Sequence, residues 1–211
     1  EWWRHRTGIL TSNFAEAGAF LRSSPEEALP DLQLHFVVAK LLDHGRKTVR
    51  GHGYSCHVCV LRPRSRGTVR LRSADPLTLP AVDPNFLADA DDLQRTVRGV
   101  QIVRRILAQP ALARHGAREL PASAAAQTSE QIADWVRQYA DTIYHPVGTC
   151  RMGPGPQDVV DHQLRVHGVQ GLRVVDASIF PCITSGNTNA PCIMLGEKAA
   201  HMVLAEAQRW A

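Results

Sequence analysis

The chain has 211 residues, 44% hydrophobic and 21% charged, a balance that supports one or two packed domains and argues against a disordered tail. Its formal net charge of +4 comes from arginines dispersed among 20 acidic residues, not from a basic stripe, which argues against nucleic-acid binding. No run approaches the roughly 18 apolar residues of a bilayer span, so no transmembrane segment is expected.

Five cysteines (Cys56, Cys59, Cys150, Cys182, Cys192) are odd in number and lack a framework spacing. They predict free thiols in a reducing compartment, hence a cytoplasmic location, with peripheral attachment at the inner membrane as the alternative. The opening Glu1-Trp2-Trp3-Arg4-His5-Arg6 has neither a signal-peptide core nor an initiator Met, and reads as the start of a piece of a longer protein.

In chain order, a Gly- and Asn-containing opening leads to Leu32-Gln33-Leu34-His35-Phe36-Val37-Val38, whose alternation predicts a half-buried strand. After a long loop, residues 54–61 and 68–72 read as two strands joined through Pro63-Arg64-Ser65-Arg66-Gly67, an antiparallel hairpin. From Asp89 to about Gln109, Leu93, Val97, Val100, Ile102, Val103, Ile106 and Leu107 recur at helical spacing. A second helix is expected from Ser129, offered as its cap, with Ile132, Val136 and Tyr139 as its apolar stripe, and residues 121–128 read as a small-residue linker. Toward the end, residues 171–176 predict a short apolar strand, and residues 191–208 a largely apolar, deeply buried helix. The pattern is α+β: an antiparallel-sheet body with flanking helices, plus a C-terminal strand-loop-helix that docks on a sheet outside this chain. The expected division is 1–142 and 143–211.

Two clusters carry the chemistry. In Tyr144-His145-Pro146-Val147-Gly148-Thr149-Cys150-Arg151-Met152-Gly153, a histidine sits before proline and a glycine turn, which fixes its backbone. In Ser185-Gly186-Asn187-Thr188-Asn189-Ala190-Pro191, a polar turn enters the apolar helix, with Asn189 offered as the N-cap. The free N–H groups of such a helix start stabilise negative charge. Taken singly, each cluster also suits a structural histidine or a plain capped helix.

These two clusters, with the intervening Gly168-Val169-Gln170-Gly171-Leu172-Arg173-Val174-Val175-Asp176-Ala177-Ser178-Ile179-Phe180-Pro181 and the following Gly196-Glu197-Lys198-Ala199-Ala200, resemble the C-terminal signature of the glucose-methanol-choline oxidoreductases. Upstream, Leu10-Thr11-Ser12-Asn13-Phe14-Ala15-Glu16-Ala17-Gly18, Gln33-Leu34-His35-Phe36, Asp43-His44-Gly45-Arg46-Lys47 and Cys59-Val60-Leu61-Arg62-Pro63 look like the choline dehydrogenase branch, so the resemblance spans nearly the whole chain.

The resemblance implies an FAD-dependent oxidation of a primary alcohol, choline included, with the hydroxyl proton taken by a base and hydride passed to flavin N5. His145 matches the family's catalytic histidine, and Asn187 its second active-site position. Asp176 and Ala177 match the segment along the cofactor's diphosphate and ribityl chain, and Thr188, Asn189 and Ala190 the turn facing the flavin ring, all in main-chain roles. The family's Gly-x-Gly-x-x-Gly fingerprint is not in these residues. The resemblance therefore implies that the fragment is inactive alone and partners an N-terminal FAD-binding half; between oxygen and a quinone-type electron acceptor, the resemblance to the dehydrogenase branch favours the quinone type. A catalytically silent substrate-binding fragment is the alternative.

Two rival chemistries are weaker. Cys56-His57-Val58-Cys59 has C-x-x-C spacing, but on a strand residues three apart point to opposite faces and no second pair follows, so no metal is expected. A hydrolase built from His145, Asp176 and Cys150 or Ser178 lacks the Gly-x-Ser-x-Gly elbow.

Overall fold

The computed structural model describes residues 1–8, 11–47 and 49–208. Leu10, which opens the first upstream segment of the resemblance, lies outside them. In chain order the elements are α1 (Trp2–His5), β1 (Ala17–Leu21), β2 (Leu32–Val37), β3 (Ser55–Val60), β4 (Thr68–Arg70), β5 (Ala81–Asp83), α2 (Ala90–Leu107), α3 (Pro110–Ala113), α4 (Pro121–Ala124), α5 (Ser129–Tyr139) and α6 (Asn189–Ala207), with 3-10 turns at Asp43–Gly45 and Ala177–Ile179. Helices and antiparallel strands thus coexist, as the α+β expectation has it. They form two units, Glu1–Arg64 with Asp89–Ala140, and Ser65–Ala88 with Asp141–Ala211.

In the first unit, β1, β2 and β3 form an antiparallel sheet with β2 in the middle, Leu21 opposite Leu32 and Leu32 opposite Val60. The expected half-burial of this strand is not what forms. Leu32, Gln33, Leu34 and Val37 are all buried, because a central strand is flanked on both edges and here also covered by helix. β1 has no alternation to betray it, and its Gly18 is required by sheet pairing, since a Cβ there would lie 2.7 Å from the Leu34 carbonyl oxygen.

α2 packs on β2 and β3, and α5 on α2. Asp89 caps α2 through its side chain and the Asp91 N–H, and Leu93, Val97 and Val103 are buried on its inner face. Gly99 sets the approach of helix to sheet, because a Cβ at that position would meet Val58 Cγ2 at 2.7 Å and Leu32 Cδ1 at 3.4 Å. The cap of α5 is Thr128, not Ser129: the Gln131 N–H donates to Thr128 Oγ1 and the Thr128 N–H to Gln131 Oε1, a capping box. Ile132 and Val136 are buried, while Tyr139 is exposed and rests on Trp135. The small-residue linker contains the short helix α4.

The expected hairpin does not form. β3 pairs with β2, and β4 with β5, Thr68 opposite Asp83. The reason is visible at Arg64 and Gly67. The Arg64 N–H donates to both Asp92 carboxylate oxygens, at 2.8 and 3.1 Å, which ties the connection to the start of α2. In the second unit, Gly67 passes so close to Asp83 that a Cβ would fall 2.1 Å from its carbonyl oxygen.

The second unit has its core in Val160, Leu164, Ile179, Phe180, Leu195 and Ala199. The strand expected at 171–176 is reduced to one bridge, Arg165 to Arg173, because within these residues its partner is only the short 164–166 segment. Helix α6 starts at Asn189 with Thr188 as its N-cap, and it is buried along one stripe only, Leu195 and Ala199, flanked by half-buried Cys192 and Met202. Ile193, Met194, Val203 and Leu204 are exposed. The deep burial expected of this helix is therefore absent within the unit, which layers it on one side. Glu206 anchors its last turn through Arg165 and Arg173.

Candidate active site

His145 stands in the second unit on a backbone with little freedom. Tyr144 before it adopts φ 68°, a left-handed conformation unfavourable for a bulky side chain, and its N–H donates to Thr142 Oγ1 at 2.9 Å. Pro146 follows, then Gly148 at φ 90°, whose Cβ would touch the Phe180 carbonyl oxygen at 3.4 Å. Beyond that turn the Cys150 N–H donates to the Ser178 carbonyl at 3.0 Å and the Met152 N–H to that of Ile179 at 2.8 Å. The segment carrying His145 is thereby fastened to the turn that carries Asp176 and Ala177. Downstream, Arg151 Nε and the Gly155 N–H both donate to the Asp158 carboxylate, at 2.6 and 2.7 Å, and hold it below the ordinary carboxylate range. A Cβ on Gly153 would lie 2.2 Å from Asp158 Oδ2, so a larger residue there would displace the carboxylate from these partners.

The imidazole is held from both ends. Asn187 Nδ2 lies 2.7 Å from Nε2 and Thr188 Oγ1 2.9 Å from Nδ1; with the amide nitrogen facing Nε2, a neutral ring would carry its proton on Nδ1 and donate it to the Thr188 hydroxyl. The Thr188 N–H also points at Nδ1, at 3.4 Å, and would favour the other tautomer; it is the longer of the two Thr188 contacts and so the weaker. His145 is half-buried, Thr188 is buried and Asn187 is exposed. Ser185, which opens the turn, takes φ 60°, a second left-handed non-glycine position flanking the site.

Thr188 caps α6 only through its backbone, accepting the Cys192 N–H at 3.0 Å; its side chain makes no cap hydrogen bond. The N–H groups of Asn189 and Ala190 have no acceptor within the helix, and Pro191 supplies none. Both residues are exposed, so the helix offers two outward donors and the positive end of its dipole. A second donor lies at the Ala177–Ile179 turn. Asp176 Oδ1 accepts the Ser178 N–H at 2.7 Å, which occupies the carboxylate as a cap and leaves the Ala177 N–H as the free group of the turn. These donors suit an anionic or carbonyl-rich group bound through the main chain.

Sequence reading thus marked out two side chains that the fold brings together across 42 positions, His145 and Asn187. It missed the Thr188 hydroxyl, for which a backbone role was expected. No local pattern signals a contact with a histidine 43 residues earlier. The hydrolase reading finds no support: the hydrogen bonds of the His145 ring go to Thr188 and Asn187, and the Ser178 hydroxyl is buried with no hydrogen-bond partner among the described residues.

On β3, Cys56 lies opposite Phe36 and Cys59 opposite Gln33, so the two thiols point to opposite faces. Burial pushes the Cys59 thiol up to about 11 and raises the Cys56 thiol as well, away from the thiolate that a nucleophilic role needs. Among the described residues, no three His, Cys, Asp or Glu side chains gather as a metal site, and no helix is long and apolar enough to cross a membrane. Phe36 shares its face with Leu32, Leu34 and Val58, the side against which Gly99 of α2 packs, and its ring rests on Tyr54 at 5.1 Å between centroids.

The family model described as GMC oxidoreductase matches residues 63–196. The chain is 49% identical over 199 residues to the alcohol dehydrogenase [acceptor] of Pseudomonas putida, and 45% identical over 203 residues to an oxygen-dependent choline dehydrogenase of Escherichia coli. These alignments cover 94% and 96% of the chain but 36% of each relative. Among solved structures, formate oxidase of Aspergillus oryzae, studied for its FAD modification, superposes with a TM-score of 0.84 at 26% identity, covering 100% of this chain and 41% of that one.

Proposed function

Because the chain belongs to the GMC oxidoreductase family, with the family match running over residues 63–196, we propose that it is the catalytic C-terminal part of an FAD-dependent oxidoreductase that converts a primary alcohol to its aldehyde. The observation that carries this reading is the His145 ring, held between the Asn187 amide at Nε2 and the Thr188 hydroxyl at Nδ1.

An alcohol is a very weak acid, and a base within about 2.6–3.2 Å of the hydroxyl lowers the barrier by letting alkoxide character grow as the carbon is oxidised. His145 Nε2 is that base. The Asn187 amide, which donates to Nε2 in its absence, turns its N–H to the substrate oxygen and stabilises the developing negative charge. FAD, when bound, supplies the hydride acceptor. The N–H groups of Asn189 and Ala190, with the Thr188 backbone, would hold its ring, and the main chain at Asp176 and Ala177 its diphosphate and ribityl chain; the Asp176 carboxylate already accepts the Ser178 N–H.

Residues 1–142 serve as the substrate-binding part and 143–211 as the catalytic and FAD-contacting part. The partner is the N-terminal FAD-binding half of a longer chain, and the exposed Ile193, Met194, Val203 and Leu204 of α6 are the apolar surface it covers. Without that half the fragment neither retains FAD tightly nor turns over. A quinone-type acceptor receives the electrons. Aliphatic or aromatic primary alcohols rank above choline as substrate. The alcohol dehydrogenase of Pseudomonas putida has the higher identity, and Phe36, the aromatic residue that a quaternary ammonium would want, lies on the helix-covered face of the sheet.

The test is the visible spectrum of the full-length protein, followed anaerobically as primary alcohols, choline among them, are added. Bleaching of a bound flavin by one alcohol class supports the reaction and names the substrate. A yellow protein that no alcohol bleaches removes His145 as an alcohol base, and a colourless one removes the cofactor assignment.

A further inference from the structure

We infer that the Thr188 hydroxyl is a positioning residue for the reaction, setting the tautomer of His145 through Nδ1; this rests on the reading of His145 as the base. Three observations carry it. Thr188 Oγ1 lies 2.9 Å from Nδ1, and the Thr188 side chain is buried, so the contact is shielded from water. Thr188 holds the N-cap position of α6, where a threonine hydroxyl ordinarily accepts an N–H of its own helix, yet no such bond is made. Asn187 Nδ2 donates to Nε2 and completes the orientation from the other side.

The chemical consequence follows from the two ring nitrogens being unequal. A neutral imidazole can take a proton at Nε2 only if its own proton is on Nδ1, and that tautomer is selected by whatever accepts from Nδ1. In hydrolase triads a carboxylate does this, and its loss through the wrong tautomer costs about 10⁴-fold. A hydroxyl selects the same tautomer without adding a negative charge next to the site where charge develops on the substrate oxygen. Its loss should cost less, roughly 10- to 100-fold on the same scale. The helix also gains from the diversion, because the N–H groups that Thr188 leaves uncapped are those proposed to face the flavin.

The experiment uses the full-length enzyme with Thr188→Val, which removes the hydroxyl at nearly constant shape, and Thr188→Ser, which restores it. Thr188→Ala is the second deletion should the valine variant fail to fold. Three quantities are read: flavin content, the anaerobic flavin-bleaching rate constant with the best alcohol, and the ring ¹⁵N signals of His145 in labelled protein. The expected result is flavin retained, bleaching slowed roughly 10- to 100-fold, the Nδ1–H tautomer lost in the valine or alanine variant, and all three values returned to wild type by serine. An unchanged tautomer, an unchanged rate constant, or a loss of flavin that accounts for the whole rate effect overturns the inference. If His145→Ala abolishes bleaching while Thr188→Val does not slow it, the alcohol-oxidation reading stands and this one falls. If no alcohol bleaches the wild type, that reading falls and the ¹⁵N signals still decide the role of Thr188.

Discussion

Asn187 and Thr188 are neighbours in sequence and grip opposite nitrogens of one imidazole, Nε2 at 2.7 Å and Nδ1 at 2.9 Å. The turn that begins α6 is therefore also the seat of His145. Because the same turn presents the uncapped N–H groups of Asn189 and Ala190, the side chains that hold the base and the proposed flavin contacts share one backbone segment, to which His145 is joined through its ring.

His145→Ala in the full-length protein is expected to lower the bleaching rate constant by about 10²- to 10⁴-fold, the range for loss of a general base. The flavin should remain bound, because the proposed cofactor contacts at 176–177 and 188–190 are main-chain. Stopped-flow absorbance separates the two quantities. A wild-type rate from this variant would end the assignment.

Asn187 and Asn189 should differ although they lie two residues apart. Asn187→Ala removes the amide beside Nε2 and should cost about 10²- to 10³-fold in turnover, as for one oxyanion donor. Asn189→Ala leaves its N–H in place, so flavin content and turnover should change little. Steady-state kinetics with a flavin count on both variants decides this, and a reversed order would move the oxyanion role to Asn189.

Elements that satisfy their own backbone were readable in advance: α2 with its Asp89 cap, and α5, displaced by only one residue at its start. What escaped depends on contacts distant in sequence. β1 exists because β2 supplies its partner, β4 finds its partner in β5, and residues 171–176 need a longer partner than 164–166 to become a strand. In the site, His145 and Asn187 were legible as residue types in a familiar wording. The Thr188 hydroxyl was not, because its geometry arises only when residues 43 apart meet.

Gly99 offers a packing test. Alanine there would gain about 1 kcal/mol of helix propensity, but its Cβ would sit 2.7 Å from Val58 Cγ2, and a β-branched side chain on a strand has little room to turn away. Overpacking of about 1–3 kcal/mol should win. Gly99→Ala is expected to lower the denaturation midpoint, and adding Val58→Ala to recover part of the loss. A double-mutant cycle by urea denaturation checks it, with additive effects counting against the contact.

Asp31 gives the pH dependence. It is fully buried, its Oδ1 accepting the Ser23 N–H at 2.6 Å and its Oδ2 Arg95 Nη1 at 2.8 Å. Arg95 is shared with Asp91 at 2.7 Å and Glu27 at 2.9 Å. Burial on its own raises the Asp31 carboxyl, but the Ser23 hydroxyl and N–H and the Arg95 charge outweigh it and hold the carboxyl below its ordinary value. A carboxylate whose folded pKa is depressed contributes stability above the unfolded value of about 3.9, and loses it as pH falls through the lower folded value. Asp31→Asn should therefore cost about 1.5–3 kcal/mol at pH 7, the worth of a hydrogen bond to a charged group. The gap between wild type and variant should stay constant down to about pH 5 and narrow below about pH 4. Chemical denaturation of both full-length proteins at pH 7, 5 and 3 measures it, and a gap that persists unchanged at pH 3 would mean that Asp31 is not the carboxylate whose protonation weakens this unit.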